Sequence, residues 1–458
     1  MVSRTAWPSV TFGRSTADRK LVRFSGDAHV MSVAPTGAGK GTTSIIPNLL
    51  VWPDSVFVID PKGENVTRTI SQRVKLNGGK VHLLDPFEIV SGAPQAIRAR
   101  FNPLDFIDLG DAGITQADRL ADALIIKEKG ENVHFSNEAR ALLRALILHV
   151  KTDELYQGQR HLGTVNRIAC NPLLLMGDEE EPGELQENPA FDGLIARTGK
   201  RMAAKGDREG PAIWSTLQAN LSQFLDDPRI AANLSETSFD FLQLTQERIS
   251  VFAVLPVQYL ETFNRWLRLL VGCALDRLYE GMRGGQAPPV AALFLLDEFA
   301  HLGNLEAIRT AYGVARGAGI KIWAILQSLS QLDDIYGEHG RENLIANSGA
   351  IEVFNTFDIK GCKYFSEMAG ERYVTVASAS EGASQSSSTS LRSDQDGHQA
   401  SYSRTSNLSE VLRPRVLPSE IAGMDTDHKL LFRRAHGYEV LEKVHYFKDV
   451  QLSPLADR

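Results

Sequence analysis

Lys40 follows two closely spaced glycines, Gly37 and Gly39, in the stretch VAPTGAGKGTTSIIPNLL, residues 33–50. Glycine adopts positive φ without steric cost, so successive backbone N–H groups can converge on an anion. A lysine closing such a loop reaches the β and γ phosphates of a nucleotide. The usual phosphate-loop pattern is Gly, four residues, then Gly-Lys-Ser/Thr. Here Ala34 stands at the first glycine and Gly41 at the magnesium-binding hydroxyl. The first departure touches only turn geometry. The second removes the hydroxyl beside Lys40, and Thr42, with Thr43 behind it, is the nearest substitute. Thr36, Gly37, Ala38, Gly39, Lys40, Gly41 and Thr42 therefore form a candidate cradle for ATP, with Thr42 a candidate ligand of Mg2+.

A second constellation lies far downstream. ALFLLDEFAHLG is an apolar run ending in Asp297-Glu298. In phosphate-loop hydrolases a strand-end Asp orients magnesium, and an adjacent Glu can polarise the attacking water as a general base. Two solvated acids at a strand end would be the bland alternative. The occurrence of both motifs in the expected chain order favours ATP hydrolysis, with Asp297 on the metal and Glu298 on the water. Gln327 ends the next apolar run, IKIWAILQ. Its amide either senses the γ phosphate or hydrogen-bonds a loop.

These residues need a sheet to hold them. DAHVMSVA, SVFVID, KVHLLD, ISVFAVL, AALFLLDE, IKIWAILQ and AIEVFN are short apolar runs rich in β-branched or aromatic residues. Nearly continuous apolar character predicts strands buried on both faces, as in a parallel sheet covered by helices. Ligands sit at the carboxyl edge of such sheets. The chain has 458 residues, enough for two or three domains. Residues 112–237 read as mostly helical, an all-α insertion between 1–111 and 238–458 of an α/β core. In NEARALLRALILHV, residues Ala139, Leu142, Leu143, Leu146, Ile147 and Val150 share one stripe, with Asn137 as the expected N-cap. FNRWLRLLVGCALDRLYE predicts a helix packed on the sheet, and the acidic GDEEEPGELQENP a loop. Pro47 should kink the helix after the phosphate loop or lie near its end. Residues 378–409 are Ser-rich and almost free of large apolar side chains, which predicts a mobile loop. KLLFRR and EVLEKVHYF return as short strands.

Three cysteines, Cys170, Cys273 and Cys362, lack metal or disulfide spacing and point to a reducing compartment. No run of 18 apolar residues is present, and the first twenty residues lack a signal-peptide core, so a soluble chain is expected.

The ordered set APTGAGKGTTSIIPNLL, FVIDPKGEN, LLDPF with RFNPLDFI, LFLLDEFAHLG, GVARGAGIKIWAILQSLSQL and NSGAIEVFNTFD resembles the conjugative coupling proteins of type IV secretion, the TraG type. The match runs from about Val30 to Asp358 and continues more weakly through RPRVLPSEIAGMDTDHKLLFRRAH. In that family the loop lysine is commonly followed by glycine, which accounts for Gly41. The resemblance implies an additional-strand RecA-like α/β motor with an inserted all-α domain. It also implies assembly as a homo-hexamer at the cytoplasmic face of the bacterial inner membrane. ATP and Mg2+ would be its cofactors; DNA, relaxase-type protein substrates and secretion-channel components its partners. Members usually carry two N-terminal membrane helices, which this sequence does not show. By the same resemblance Lys40 binds phosphate, Asp297 the metal and Glu298 the water, Gln327 is sensor-like, and Arg316 in ARGAGIK is an arginine finger supplied to a neighbouring subunit. In DPKGE, Lys62 and Glu64 face the nucleotide, face a neighbour, or simply form a turn.

The net charge of -7 does not advertise nucleic-acid binding, although basic side chains can be segregated on one face. ARTGKRMAAKGDREG carries Arg197, Lys200, Arg201, Lys205 and Arg208, either a DNA or partner contact or a solvated face. Three functions fit: a DNA-translocating coupling protein, a related DNA pump, or a substrate receptor with weak ATPase.

Overall fold

The computed structural model describes residues 7–126, 133–177, 181–282, 287–388 and 397–457; side chains of 315–316 and 377–407 are outside that description. Thirteen strands are found among them. These are β1 Val10–Ser15, β2 Leu21–Phe24, β3 His29–Val33, β4 Ser55–Asp60, β5 Val81–Leu84, β6 Ser250–Val254, β7 Ala292–Leu296, β8 Ile320–Leu326, β9 Ser348–Val353, β10 Glu371–Ser388, β11 Gly397–Pro414, β12 His428–Arg433 and β13 Gly437–Glu442. Eleven form one sheet in the order β2-β1-β13-β12-β9-β3-β8-β7-β4-β6-β5. From β9 to β5 all neighbours are parallel. From β9 outward to β2 they are antiparallel. The sheet is α/β and mostly parallel, as the apolar runs predict.

The central strands are continuous in burial: every residue of β3, β4, β6, β7, β8 and β9 is buried. This burial sets the register, because a slip by one residue would carry each side chain to the opposite face. β8 lies between β3 and β7, so the strand ending in Gln327 separates the phosphate loop from the acidic strand end. Two strands, β1 and β2, are not read from the sequence. β2 is the edge strand and β1 its neighbour; both are short and only partly buried.

Between β5 and β6 the described residues contain helices and no strand. Helix Val133–Thr152 buries the stripe that its periodicity predicts. It begins four residues before Asn137, so Asn137 is an interior helical residue and not the N-cap. The acidic segment contains one helical turn, Glu184–Glu187, with 178–180 outside the described residues. Helix Leu260–Gly281 buries Phe263, Trp266, Leu267, Leu270, Val271, Ala274, Leu275 and Leu278. Its Arg268 is almost wholly buried and donates to the carbonyls of Ala123 (2.9 Å) and Leu302 (2.5 Å). One guanidinium thus ties the helical block to the turn that follows Glu298.

The chain divides into two compact units, Met1–Asn355 with Asp425–Arg458, and Thr356–Met424. Residues 112–237 stay within the first unit, so the division falls at 355/356 and 424/425. The second unit holds helix Ile359–Ala369 and the hairpin β10–β11. The hairpin corrects the expectation of a structureless Ser-rich loop. Its backbone pairs from Glu371 opposite Pro414 to Ser388 opposite Gly397. Absence of apolar side chains argues against a packed core, but main-chain pairing needs no core and tolerates small polar residues. Residues 389–396 lie outside the described residues. All three cysteines are free thiols. Among the described residues no helix is long and apolar enough to cross a membrane.

Candidate functional site

The phosphate loop leaves β3 at the carboxyl edge of the sheet. Ala34 N–H donates to the Leu326 carbonyl at 2.8 Å, pinning the start of the loop to the end of β8. Gly37 and Gly39 take φ of 81° and 88°, the positive values that an L side chain rarely adopts. Gly41 opens the following helix, and a Cβ added there would meet nothing within 4 Å. The missing hydroxyl is therefore not a steric requirement of the turn. The first turn, Gly41–Ile45, is π-helical and continues as the α-helix Ile46–Val51. That widened turn places Pro47 in the first turn of the α segment, where its missing N–H breaks no helical hydrogen bond.

Four predicted residues meet. Lys40 Nζ lies 2.7 Å from Asp297 Oδ1 and 2.8 Å from Glu298 Oε1. Gln327 Nε2 donates to the other oxygen of Glu298 at 2.8 Å. Glu298 has φ 54° and ψ 43°, a left-handed conformation uncommon for a non-glycine residue. Its N–H donates to Asp297 Oδ1 at 3.0 Å. Burial raises the Asp297 carboxyl above its ordinary value, and the Lys40 ammonium only partly offsets this. Burial pushes Glu298 the same way, but Lys40 and the Gln327 amide outweigh it and hold Glu298 below its ordinary value. Burial alone would lower Lys40; the two carboxylates raise it. The cluster is a half-buried cation compensated by two anions, and a polyphosphate is the anion that could take their place.

Thr42 Oγ1 donates to the Gly39 carbonyl at 3.2 Å and lies 3.5 Å from His445 Nδ1. Thr43 Oγ1 also donates to Gly39 O, at 2.8 Å. Thr36 and Ala38 lie in the loop as expected. Arg316 lies in the 3₁₀ turn Ala315–Ala318 ahead of β8, with its side chain outside the described residues. In the basic stretch Arg201 and Lys205 are ion-paired with Glu138 at 3.6 and 3.5 Å, which neutralises part of its charge.

DPKGE forms a turn that starts a helix. Gly63 N–H donates to the Asp60 carbonyl at 3.3 Å, and Gly63 has φ 66°. The Asp60 carboxylate accepts from Val66 N–H at 2.9 Å, at the start of helix Glu64–Leu76. Lys62 and Glu64 are exposed. Burial, reinforced by the charge of Asp297, lifts Asp60 to about 7 against backbone N–H groups that favour its ionised form. A native carboxyl that holds its proton longer than the unfolded one makes stability fall as pH rises from about 4 to about 7. The shift from 3.8 to about 7 corresponds to a loss on the order of 4 kcal/mol across that window. Asp60→Asn should remove this pH slope while keeping an acceptor for Val66. Urea midpoints of both chains from pH 4 to 8 check it, and equal slopes would exclude Asp60 as their source.

Sequence reading misses the buried network beneath the loop. Glu352 of β9 and Lys429 of β12 are both fully buried and pair at 2.6 Å. Ser44 of the π turn donates to Glu352 at 3.0 Å, Ser32 of β3 donates to it at 2.5 Å, and Lys429 donates to Ser44 at 2.7 Å. The first helical turn after Lys40 is thereby tied to three strands. A charged residue within or opening an apolar run, Glu352 in AIEVFN and Lys429 in KLLFRR, is the signal that could have found it.

Asp297 and a threonine hydroxyl are hard oxygen donors of the kind magnesium prefers. Among the described residues no group of three or more His, Cys, Asp or Glu could hold a metal on its own. This suits an ion that is bound through one or two protein oxygens together with substrate phosphates and water.

A phosphate loop on one strand, an acidic strand end two strands away and a Gln-terminated strand between them define a RecA-like P-loop nucleotide-binding domain. Residues 3–457 match the family described as type IV secretory system conjugative DNA transfer, and the chain belongs to that family. It is 28% identical over 440 residues to the protein VirD4 of Agrobacterium fabrum, covering 94% of this chain and 60% of that protein. It is 26% identical over 425 residues to the conjugal transfer protein TraG of Escherichia coli, covering 88% and 63%. The chain thus spans about three-fifths of the length of these relatives. Among solved structures it is similar to the bacterial conjugative coupling protein TrwBdeltaN70, unbound (TM-score 0.63, 17% identity, 91% of this chain and 85% of that one). It is equally similar to the plasmid coupling protein TrwB in complex with the ATP analogue ADPNP (TM-score 0.64, 16% identity, 92% and 86%). These two establish the fold.

Proposed function

We propose that this chain is the ATP-hydrolysing motor of a type IV secretion coupling protein, driving DNA or protein–DNA transfer as a homo-hexamer beside the membrane secretion channel. The observation that carries this reading is the Lys40–Asp297–Glu298–Gln327 cluster, in which a phosphate-binding cation, a metal-binding acid, a base and an amide lie within hydrogen-bond reach. Lys40 and the loop N–H groups bind the β and γ phosphates. Asp297, with Thr42 the nearest hydroxyl, holds Mg2+, which when bound neutralises charge on the phosphates. Glu298 orients and deprotonates the attacking water, and Gln327 holds Glu298 and reads whether the γ phosphate is present. Arg316 completes a neighbouring subunit's site. TrwB has been solved with ADP and Mg2+, which supports this choice of cofactors.

Arg268 offers a route for coupling, because it grips both the turn after Glu298 and the helical block. Steady-state ATP hydrolysis at low salt, with and without single- or double-stranded DNA and on size-fractionated protein, tests the reading. Turnover stimulated severalfold by DNA is expected in the assembled fraction, and Arg316→Ala should remove it while nucleotide binding persists. An assembled sample without turnover would instead favour a substrate receptor.

A further inference from the structure

Lys443 follows β13 and is 7% exposed. Its Nζ donates to the Ala38 carbonyl of the phosphate loop at 3.0 Å and to the Thr426 carbonyl at 2.7 Å, and lies 4.7 Å from the centre of the Phe354 ring. Among the described residues no carboxylate is within ion-pair distance of it. A nearly buried ammonium with only neutral hydrogen-bond partners is costly; the charges of Glu352, Asp427 and Asp425 offset this only in part, and an anion held by the loop that it grips would compensate it further.

The grip has a geometric consequence. A trans peptide is planar, with its carbonyl and its N–H on opposite sides. The Ala38 carbonyl and the Gly39 N–H belong to one peptide, so drawing the carbonyl outward to Lys443 turns the Gly39 N–H the other way. That is the arrangement of an anion-binding nest, with N–H groups inward and carbonyls outward. The segment carrying Lys443 is fixed at both ends. Lys443 N–H donates to the Asp427 carbonyl at 2.8 Å, and Tyr446 N–H donates to the Thr42 carbonyl at 3.1 Å. Tyr446 also packs against Ile46 and Leu50 of the helix after the loop.

We propose that Lys443 is a second cation of the phosphate site, a positioning residue that orients the Gly39 N–H and adds positive charge behind the loop for the nucleotide's polyphosphate. The inference rests on the nucleotide-binding reading above. Burial and the neighbouring Lys429 ammonium lower Lys443 to about 8, against the weaker opposing charges of Glu352, Asp427 and Asp425. His445, on the same segment, is also held below its ordinary value, by burial first and with Lys443 contributing. A polyphosphate arriving at the loop stabilises the Lys443 ammonium, so binding takes up a proton when the solution is above about pH 8.

The test is calorimetric titration of the full chain with ATP, with Mg2+ present, at pH 7 and 8.7, in buffers of different ionisation enthalpy. Wild type is expected to bind ATP with proton uptake at pH 8.7 and little at pH 7. Lys443→Met should weaken ATP at least tenfold and abolish the uptake, and Lys443→Arg should restore affinity without it. Wild-type binding without uptake at pH 8.7, or Lys443→Met binding within twofold of wild type, would overturn the proposal. Failure of wild type to bind ATP at all would instead remove the nucleotide reading. If Lys443→Met does not fold, the wild-type uptake and the Lys443→Arg titration decide.

Discussion

Lys40→Ala should lower ATP affinity at least tenfold. The ammonium is the only side-chain cation that approaches both Asp297 and Glu298 within ion-pair distance among the described residues. Bound phosphates would draw on the same ammonium. Charge-assisted hydrogen bonds contribute roughly 1.5–3 kcal/mol each, so losing one or two costs about ten- to ten-thousandfold. Removing the ammonium also leaves two carboxylates facing one another in a buried site, and truncating one partner of such a cluster is destabilising. The variant should therefore melt below wild type at neutral pH and recover part of the difference in mild acid, as one carboxyl takes up a proton. Equilibrium titration with a fluorescent ATP analogue, beside thermal melts at pH 5 and 7.5, checks both parts. ATP bound within threefold of wild type would remove Lys40 from the site.

The parts of this molecule legible in the sequence are those whose physics is local. β3, β4 and β6 to β9 are each a short run buried on both faces, and such runs stand out whatever their partners. Lys40, Asp297 and Glu298 belong to local motifs at strand ends that spacing marks, whereas Gln327 at its strand end is a weak signal that the family resemblance singles out. What escaped depends on pairs distant in sequence. Glu352 and Lys429 form their ion pair across 77 residues, and each alone looks like an interruption of an apolar strand. Lys443 reaches Ala38 across 405 residues. Asn137 reads as a cap because the apolar stripe starts after it, but helix Val133–Thr152 extends upstream, where His134 meets Glu209 at 2.9 Å. The hairpin β10–β11 is held by main-chain pairing, to which side-chain composition is nearly blind.

Glu298→Gln separates binding from hydrolysis. The glutamine keeps the shape of the side chain and can still meet Gln327, and Lys40 retains Asp297 at 2.7 Å, so the resting cluster loses one anion without collapse. Nucleotide affinity should hold or rise, because one negative charge near the phosphates is gone. Turnover should fall by about 10²–10⁴, the range in which a positioned general base contributes. With Glu298 as the proposed base, the resting geometry would also control it. Lys40 and Gln327 hold the Glu298 carboxylate below its ordinary value, which makes it a poor proton acceptor. When a nucleotide draws Lys40 onto its phosphates, that hold is released, burial lifts Glu298, and the carboxylate becomes a better base at the moment substrate is present. Single-turnover hydrolysis by the assembled protein, measured beside ATP affinity, checks the separation. Turnover within tenfold of wild type would assign the water to another group, whereas lost affinity would show that Glu298 acts in binding.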